Sequence, residues 1–303
     1  MFSRLLILST VFLSLLIVSE ERSIIHEGLE RKYTVHIPDN FNEDSPLVFI
    51  MHGYTGTANG IMEYSGMNNI ADRENFIAVY PQGTIDINGN TFFNVGYELD
   101  QYSKVDDVSF IRHLVLSLSK ELNLKRTKAF ATGMSNGGDM SYLLACTSSD
   151  LFMAVAPVAG VLMKELKDSC DREGGVPLFE IHGTADKISR FEGDLKNEDG
   201  WGAYYDLPST IEFFAKVNEL ENKTVEQITS KAAGADYDIF FERHWSEDRK
   251  EEIWMYRIEE GRHVWPGLKI NWWSNPILWF YFGSGNSDIN ASEEVWKFFQ
   301  KYL

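Results

Sequence analysis

Apolar residues fall along the chain in two alternating rhythms. The first is the short apolar run, continuous in PLVFIMHG (46–53) and NFIAVYPQG (75–83) and followed by TKAFATGMS (127–135), FMAVAPVAG (152–160) and VPLFEIHG (176–183). Runs apolar at both parities, closed by glycine or proline, predict strands covered on both faces, as in a parallel sheet. RKYTVHIP (31–38) predicts a further strand with Tyr33 and Val35 on one face, and EEIWMYRI (251–258) a late one. The second rhythm is helical. Val108, Ile111, Val115, Leu118 and Leu122 recur at steps of 3 and 4, with Asp107 placed as N-cap. Ser209 to Glu212 fits a capping box, and Asn290 is placed to cap a last helix whose Val295, Phe299 and Tyr302 share a face. Strands alternating with helices predict βαβ units and a mostly parallel sheet with helices on both faces. With no internal repeat or linker-like stretch, residues 20–303 are expected to form a single domain.

The first residues differ in kind. After Arg4 comes LLILSTVFLSLLIV (5–18), an uncharged run of 14 residues. That suits the core of an export signal, whereas a membrane-spanning helix needs about 20. Residues 1–19 are therefore read as a signal peptide, with the mature chain starting near Glu20, secreted or periplasmic. An uncleaved membrane anchor is the competing reading. The net charge of −17 argues against nucleic-acid or anionic-membrane partners, which require basic patches. Two cysteines, Cys146 and Cys170, permit one disulfide in an exported chain, or two buried thiols. Neither carries a thiolate-activating motif.

The chemistry gathers around GMSNG (133–137), a G-x-S-x-G stretch between an apolar strand and the helix-like NGGDMSYLLAC. Glycines permit a tight strand-to-helix turn, and a helix N-terminus favours negative charge beside it. Ser135 is thus a candidate nucleophile, though the same junction also suits an ordinary serine cap. A serine hydroxyl needs a base and a group to orient that base. Asp186, in a loop just past the strand in LFEIHGTADKI, is the candidate acid. Only His244 and His263 follow every candidate acid, and His263, in the loop EEGRHVWPG after the late strand, is preferred to His244 in the charged FERHWSEDRK. The glycine-rich MHGYTGTANG (51–60) can aim backbone N–H groups into a cleft, so Tyr54 N–H and Asn136 N–H are the expected oxyanion donors. DINGN (86–90) resembles the start of a calcium loop, but Thr91 and Tyr97 occupy its sixth and twelfth positions. With no H-E-x-x-H motif or dinucleotide fingerprint either, no metal or cofactor is expected.

Taken together, HGYTGTANG, YPQGT, VDDVSFIRHLV, TGMSNGGDMSYLLAC, VAPVAG, IHGTAD, GRHVWPG and SDINASEEVWKFF resemble the secreted polyhydroxybutyrate-depolymerase and feruloyl-esterase group of α/β-hydrolases, in order and across most of residues 30 to 303. The resemblance implies an α/β-hydrolase fold, Ser135 as nucleophile, Asp186 as acid, His263 as base, and a Cys146–Cys170 pair. It also implies a serine ester hydrolase working through an acyl-enzyme, on feruloyl or acetyl esters of plant polysaccharide or on hydroxyalkanoate esters. The sequence departs from the family's pattern in three places. FFNVGYELDQYS lacks the adjacent cysteines frequent before VDDV, and the chain ends with the last helix, so the polymer-binding module of many depolymerases is not expected. The stretch after His263 is long and aromatic: Trp265, Trp272 and Trp273 are expected to line the substrate cleft, with Trp279 nearby, or else to pack a surface loop. The alternative functions are a serine peptidase of the same fold and an inactive, carbohydrate-binding version of it.

Overall fold

The computed structural model describes residues 19–170, 175–267 and 286–303. The apolar run of residues 5–18 lies outside them. Among the described residues no helix is long and apolar enough to cross a membrane.

In chain order the strands are β1 (Glu20–His26), β2 (Leu29–His36), β3 (Leu47–Met51), β4 (Ile77–Pro81), β5 (Thr84–Ile85), β6 (Thr91–Phe92), β7 (Ala129–Met134), β8 (Phe152–Val158), β9 (Leu178–Gly183), β10 (Asn222–Thr229), β11 (Ile239–Trp245) and β12 (Ile253–Ile258). The helices are α1 (Ala58–Ser65), α2 (Met67–Glu74), α3 (Asp107–Glu121), α4 (Asn136–Thr147), α5 (Lys164–Ser169), α6 (Leu207–Val217) and α7 (Ala291–Phe299). All strands but β5 and β6 join one sheet, ordered β1-β2-β4-β3-β7-β8-β9-β12-β11-β10. From β4 to β12 neighbouring strands run parallel. Each end is finished by antiparallel pairs, β1–β2–β4 on one side and β12–β11–β10 on the other.

The parity of the apolar runs explains the layering. Leu47, Phe49 and Met51 of β3 join the core that also holds Leu114, Leu144 and Phe214 from α3, α4 and α6. Val48 and Ile50, at the alternate positions, join the opposite core with Ile61, Ile70 and Val295 from α1, α2 and α7. Successive side chains of a strand face opposite sides, so a strand between two helical layers such as β3 is apolar at both parities. Each large apolar side chain so buried stabilises by about 1.5–3 kcal/mol.

Several boundaries shift by a residue or more. Asp106, not Asp107, caps α3, accepting from Ser109 N at 2.8 Å. Asp107 turns inward instead, where it pairs with Arg31 and accepts from Asn94 N. Asp206 caps α6 ahead of the expected Ser209, whereas Asn290 caps α7 as expected. The predicted strands all form, but β1, β10 and β11 add an antiparallel margin that the apolar pattern does not reveal.

Cys146, near the end of α4, is disulfide-bonded to Cys170, just after α5, across a sequence separation of 24. Closing a loop of that size restricts the unfolded chain by about 3 kcal/mol. The Cys146→Ala, Cys170→Ala double variant should therefore lose about that much unfolding free energy and unfold at lower denaturant, with a slope that does not fall, because its unfolded chain is less restricted. An unmoved midpoint would deny the bond a stabilising role.

Candidate active site

At the end of β7 the chain reverses into α4 through one residue. Ser135 has φ +56° and ψ −122°, a region that L-residues rarely occupy, at a cost on the order of 1–3 kcal/mol. Surrounding bonds hold it there: Ser135 N donates to Val158 O at 2.9 Å, and Asp139 N donates to Ser135 O at 2.8 Å. The turn is too tight for a side chain at position 137. A Cβ on Gly137 would stand 2.3 Å from Met51 O, which accounts for the second glycine of the motif. Asn136 opens α4, so its N–H is one of the helix's first, without an intrahelical partner. Its side-chain amide is spent elsewhere, accepting from Phe93 N and donating to Phe93 O.

Two loops from neighbouring parallel strands supply the rest. β9 and β12 are hydrogen-bonded partners, and the turns that follow them cross closely. A Cβ on Gly183 would lie 2.3 Å from the backbone of Gly261, so only glycine permits the crossing. Asp186 and His263 emerge from these turns, both about 4% exposed, with His263 Nδ1 2.7 Å from Asp186 Oδ2. The other carboxylate oxygen, Oδ1, accepts from Ile188 N at 2.8 Å and Ser189 N at 3.0 Å. Burial alone would raise the Asp186 pKa. The charge and hydrogen bond of His263, with His182 nearby, outweigh it and hold the carboxyl below its ordinary value.

Ser135 and His263 line one cavity of about 680 Å³. Its wall includes Tyr54 and the glycine-rich turn, and that turn is anchored by a histidine that sequence reasoning passed over. His52 is 1% exposed; its Nδ1 donates to Gly53 O at 2.8 Å and its Nε2 accepts from Gly83 N at 3.0 Å. Burial, opposed by the Gly53 carbonyl, lowers its pKa to about 4, so it serves as a neutral clamp. Tyr54 is tied down in turn. Its hydroxyl meets Asp86 Oδ2 at 2.5 Å, while Asp86 Oδ1 accepts from Asn88 N and Asn90 N. The DINGN stretch thus places its leading carboxylate on the cavity wall's tyrosine.

The aromatic lining differs from the expectation. Trp265 is 2% exposed and sits in the core, its indole donating to Ser292 Oγ at 2.9 Å and its N–H to Tyr64 Oη. Trp265 therefore pins the loop behind His263 to α1 and α7 rather than lining the cleft. Trp272 and Trp273, with Trp279, lie outside the described residues. Among the described residues the cavity tryptophan is Trp201, its ring 5.1 Å from Tyr54 and 5.4 Å from Tyr97. The cluster WGAYYD (201–206) in an otherwise polar stretch was its signal. His244, the competing base, lies on β11, bonded to Glu242, and is not among the cavity residues.

Residues 32–172 match the family described as Esterase PHB depolymerase. The match includes Ser135 and stops short of Asp186 and His263. Feruloyl esterase D of Neurospora crassa is 29% identical over 174 residues, covering 53% of this chain and 55% of that protein. Poly(3-hydroxyalkanoate) depolymerase C of Paucimonas lemoignei is 30% identical over 201 residues, 64% of this chain and 47% of that one. The chain thus spans about half the length of these two curated relatives. Among solved structures, an acetyl xylan esterase from Aspergillus awamori superposes with a TM-score of 0.58 at 15% identity, covering 81% of this chain and 94% of its own. The chain thus has an α/β-hydrolase fold in which residues 32–172 are similar to the Esterase PHB depolymerase family.

Proposed function

We propose that the protein is a serine carboxylic-ester hydrolase acting through an acyl-enzyme. One observation carries the reading: a buried Asp186–His263 pair, 2.7 Å apart, opens on the same cavity as a serine held at positive φ on a helix N-terminus. With Nδ1 committed to Asp186, His263 takes the Ser135 proton at Nε2 as Oγ attacks the ester carbonyl. The backbone N–H groups of Tyr54 and Asn136 hold the oxyanion, beside the positive end of α4. His263 then protonates the leaving alcohol, and water repeats the cycle to release the acid. The relatives' names, feruloyl esterase, acetylxylan esterase and poly(3-hydroxyalkanoate) depolymerase, support feruloyl, acetyl or hydroxyalkanoate esters as the substrate class, the first two on plant polysaccharide. The aromatic wall of Tyr54, Tyr97 and Trp201 suits an apolar or ring-bearing acyl group. The apolar leader of residues 1–19 supports export, with residues 20–303 as the catalytic domain.

A fluorophosphonate probe tests the mechanism. It should modify the protein once, on the peptide containing Ser135, and abolish p-nitrophenyl acetate turnover in step with labelling. Full turnover after complete labelling, or labelling elsewhere, would overturn the reading.

A further inference from the structure

Behind the Asp186–His263 pair lies a second histidine whose surroundings the proposed mechanism leaves unused. His182, on β9, is 1% exposed. Its Nδ1 is 2.8 Å from Glu180 Oε1, and Glu180 Oε2 accepts from Tyr142 Oη at 2.8 Å. Its Nε2 is 2.8 Å from Ser189 O and 3.5 Å from Asp186 Oδ2, the same oxygen that faces His263. Every polar neighbour of its two ring nitrogens is thus an acceptor. Against an ionised Glu180, a neutral imidazole with its one N–H would set a lone pair against an acceptor, whereas the imidazolium, with two N–H groups, satisfies both sides. An unpaired carboxylate would also be costly at Glu180, which is wholly buried.

We infer that His182 is a positioning residue: a buried cation, held between Glu180 and Asp186, that keeps Asp186 ionised and oriented toward His263. This rests on the proposed roles of Ser135, Asp186 and His263. Burial pushes the Glu180 carboxyl up to about 7, opposed by the hydrogen bond and charge of His182. Several titratable and charged groups sit on the elements around His182. They are Glu180 on its own strand, Asp139 and Tyr142 on α4, Arg257 beside it in register on β12, and Asp186 and His263 in the two loops. Arg257 is itself paired with Glu259. Burial alone would lower the His182 pKa, but the hydrogen bond and charge of Glu180, with Asp186, raise it to about 9. The sequence shows His182 only as part of a strand end, IHG. Its significance comes from partners 2, 4 and 40 positions away.

The sign of the effect follows from the charge. A cation beside Asp186 favours the carboxylate and repels a further proton from the Asp186–His263 pair, so the pair takes up a proton more readily when the cation is removed. His182→Gln retains an N–H donor near Ser189 O but no charge. In this variant the acid limb of kcat/KM for p-nitrophenyl acetate should move up by about one pH unit, with KM little changed. Activity below that limb should fall about tenfold, and the alkaline plateau should largely survive. Imidazole nitrogen NMR of the wild-type protein gives a second reading that needs no variant: both His182 ring nitrogens should be protonated at about pH 7.5, where an unperturbed histidine is mostly neutral. A limb that stays in place, or a His182 with one bare nitrogen at that pH, overturns the inference. Ser135→Ala in the same assay separates the two readings. Surviving turnover there defeats the serine mechanism, whereas abolished turnover with an unmoved His182→Gln limb defeats only the role of His182.

Discussion

Replacing Ser135 by alanine should lower kcat for p-nitrophenyl acetate by about 10⁴-fold or more, with KM and the folded state nearly unchanged. The size of the loss follows from the chemistry. Without Oγ no acyl-enzyme forms, and what survives is whatever the oxyanion donors and binding contribute to direct attack by water. The fold should persist because alanine has a Cβ too. It suffers the positive φ at position 135 as serine does, and the backbone bonds to Val158 O and Asp139 N remain. Stopped-flow or steady-state kinetics, with circular dichroism as the check on folding, would measure both. A variant that is folded and within tenfold of wild type would remove Ser135 from the chemistry.

The parts of this arrangement that were legible in the sequence are those where one local requirement leaves few residue choices. A strand between two helical layers is covered on both faces, so β3, β4 and β8 stand out as unbroken apolar runs, and β7 and β9 as runs interrupted only by Thr132 in one and by Glu180 and His182 in the other. The turn at Ser135 must be small on both sides, and the glycines mark it. Asp186 and His263 are legible because each follows a strand of that sheet, in chain order after the serine. What escaped is governed by partners distant in sequence. β10, NKTVEQIT, is exposed along nearly its whole length and is a strand only because β11 offers it an edge. β11 itself carries Glu242, Arg243 and His244, whose charges suggest a solvated loop until the facing Lys223 and Glu252 are seen. Trp265 illustrates the same limit. A tryptophan two residues past the candidate base suggests a cleft, but a serine hydroxyl on α7 claims its indole and draws it into the core.

The second large effect is expected at Asp186, where asparagine should cost about 10⁴-fold in kcat although it fills the same space. The hydrogen-bond geometry decides this. Oδ1 of Asp186 already accepts from two backbone N–H groups, those of Ile188 and Ser189, while Oδ2 faces His263 Nδ1. An asparagine has one acceptor oxygen and one NH₂ donor. Turning the NH₂ group toward Ile188 and Ser189 would set donor against two donors, so the amide oxygen takes that side. The NH₂ group then points at His263 Nδ1, which must act as acceptor and leave its proton on Nε2. That is the wrong tautomer for removing the Ser135 proton. The variant should also bind substrate normally but react slowly with a fluorophosphonate, since both reactions need the activated hydroxyl. Stability gives an independent reading. The Asp186 pKa is held below its ordinary value, so its ionised form contributes stability above the unfolded-state pKa, lost as pH falls through the folded-state one. The wild type should therefore be more stable than Asp186→Asn at neutral pH, and the gap should close in acid. A loss of kcat below tenfold, with labelling as fast as wild type, would show that another group orients His263.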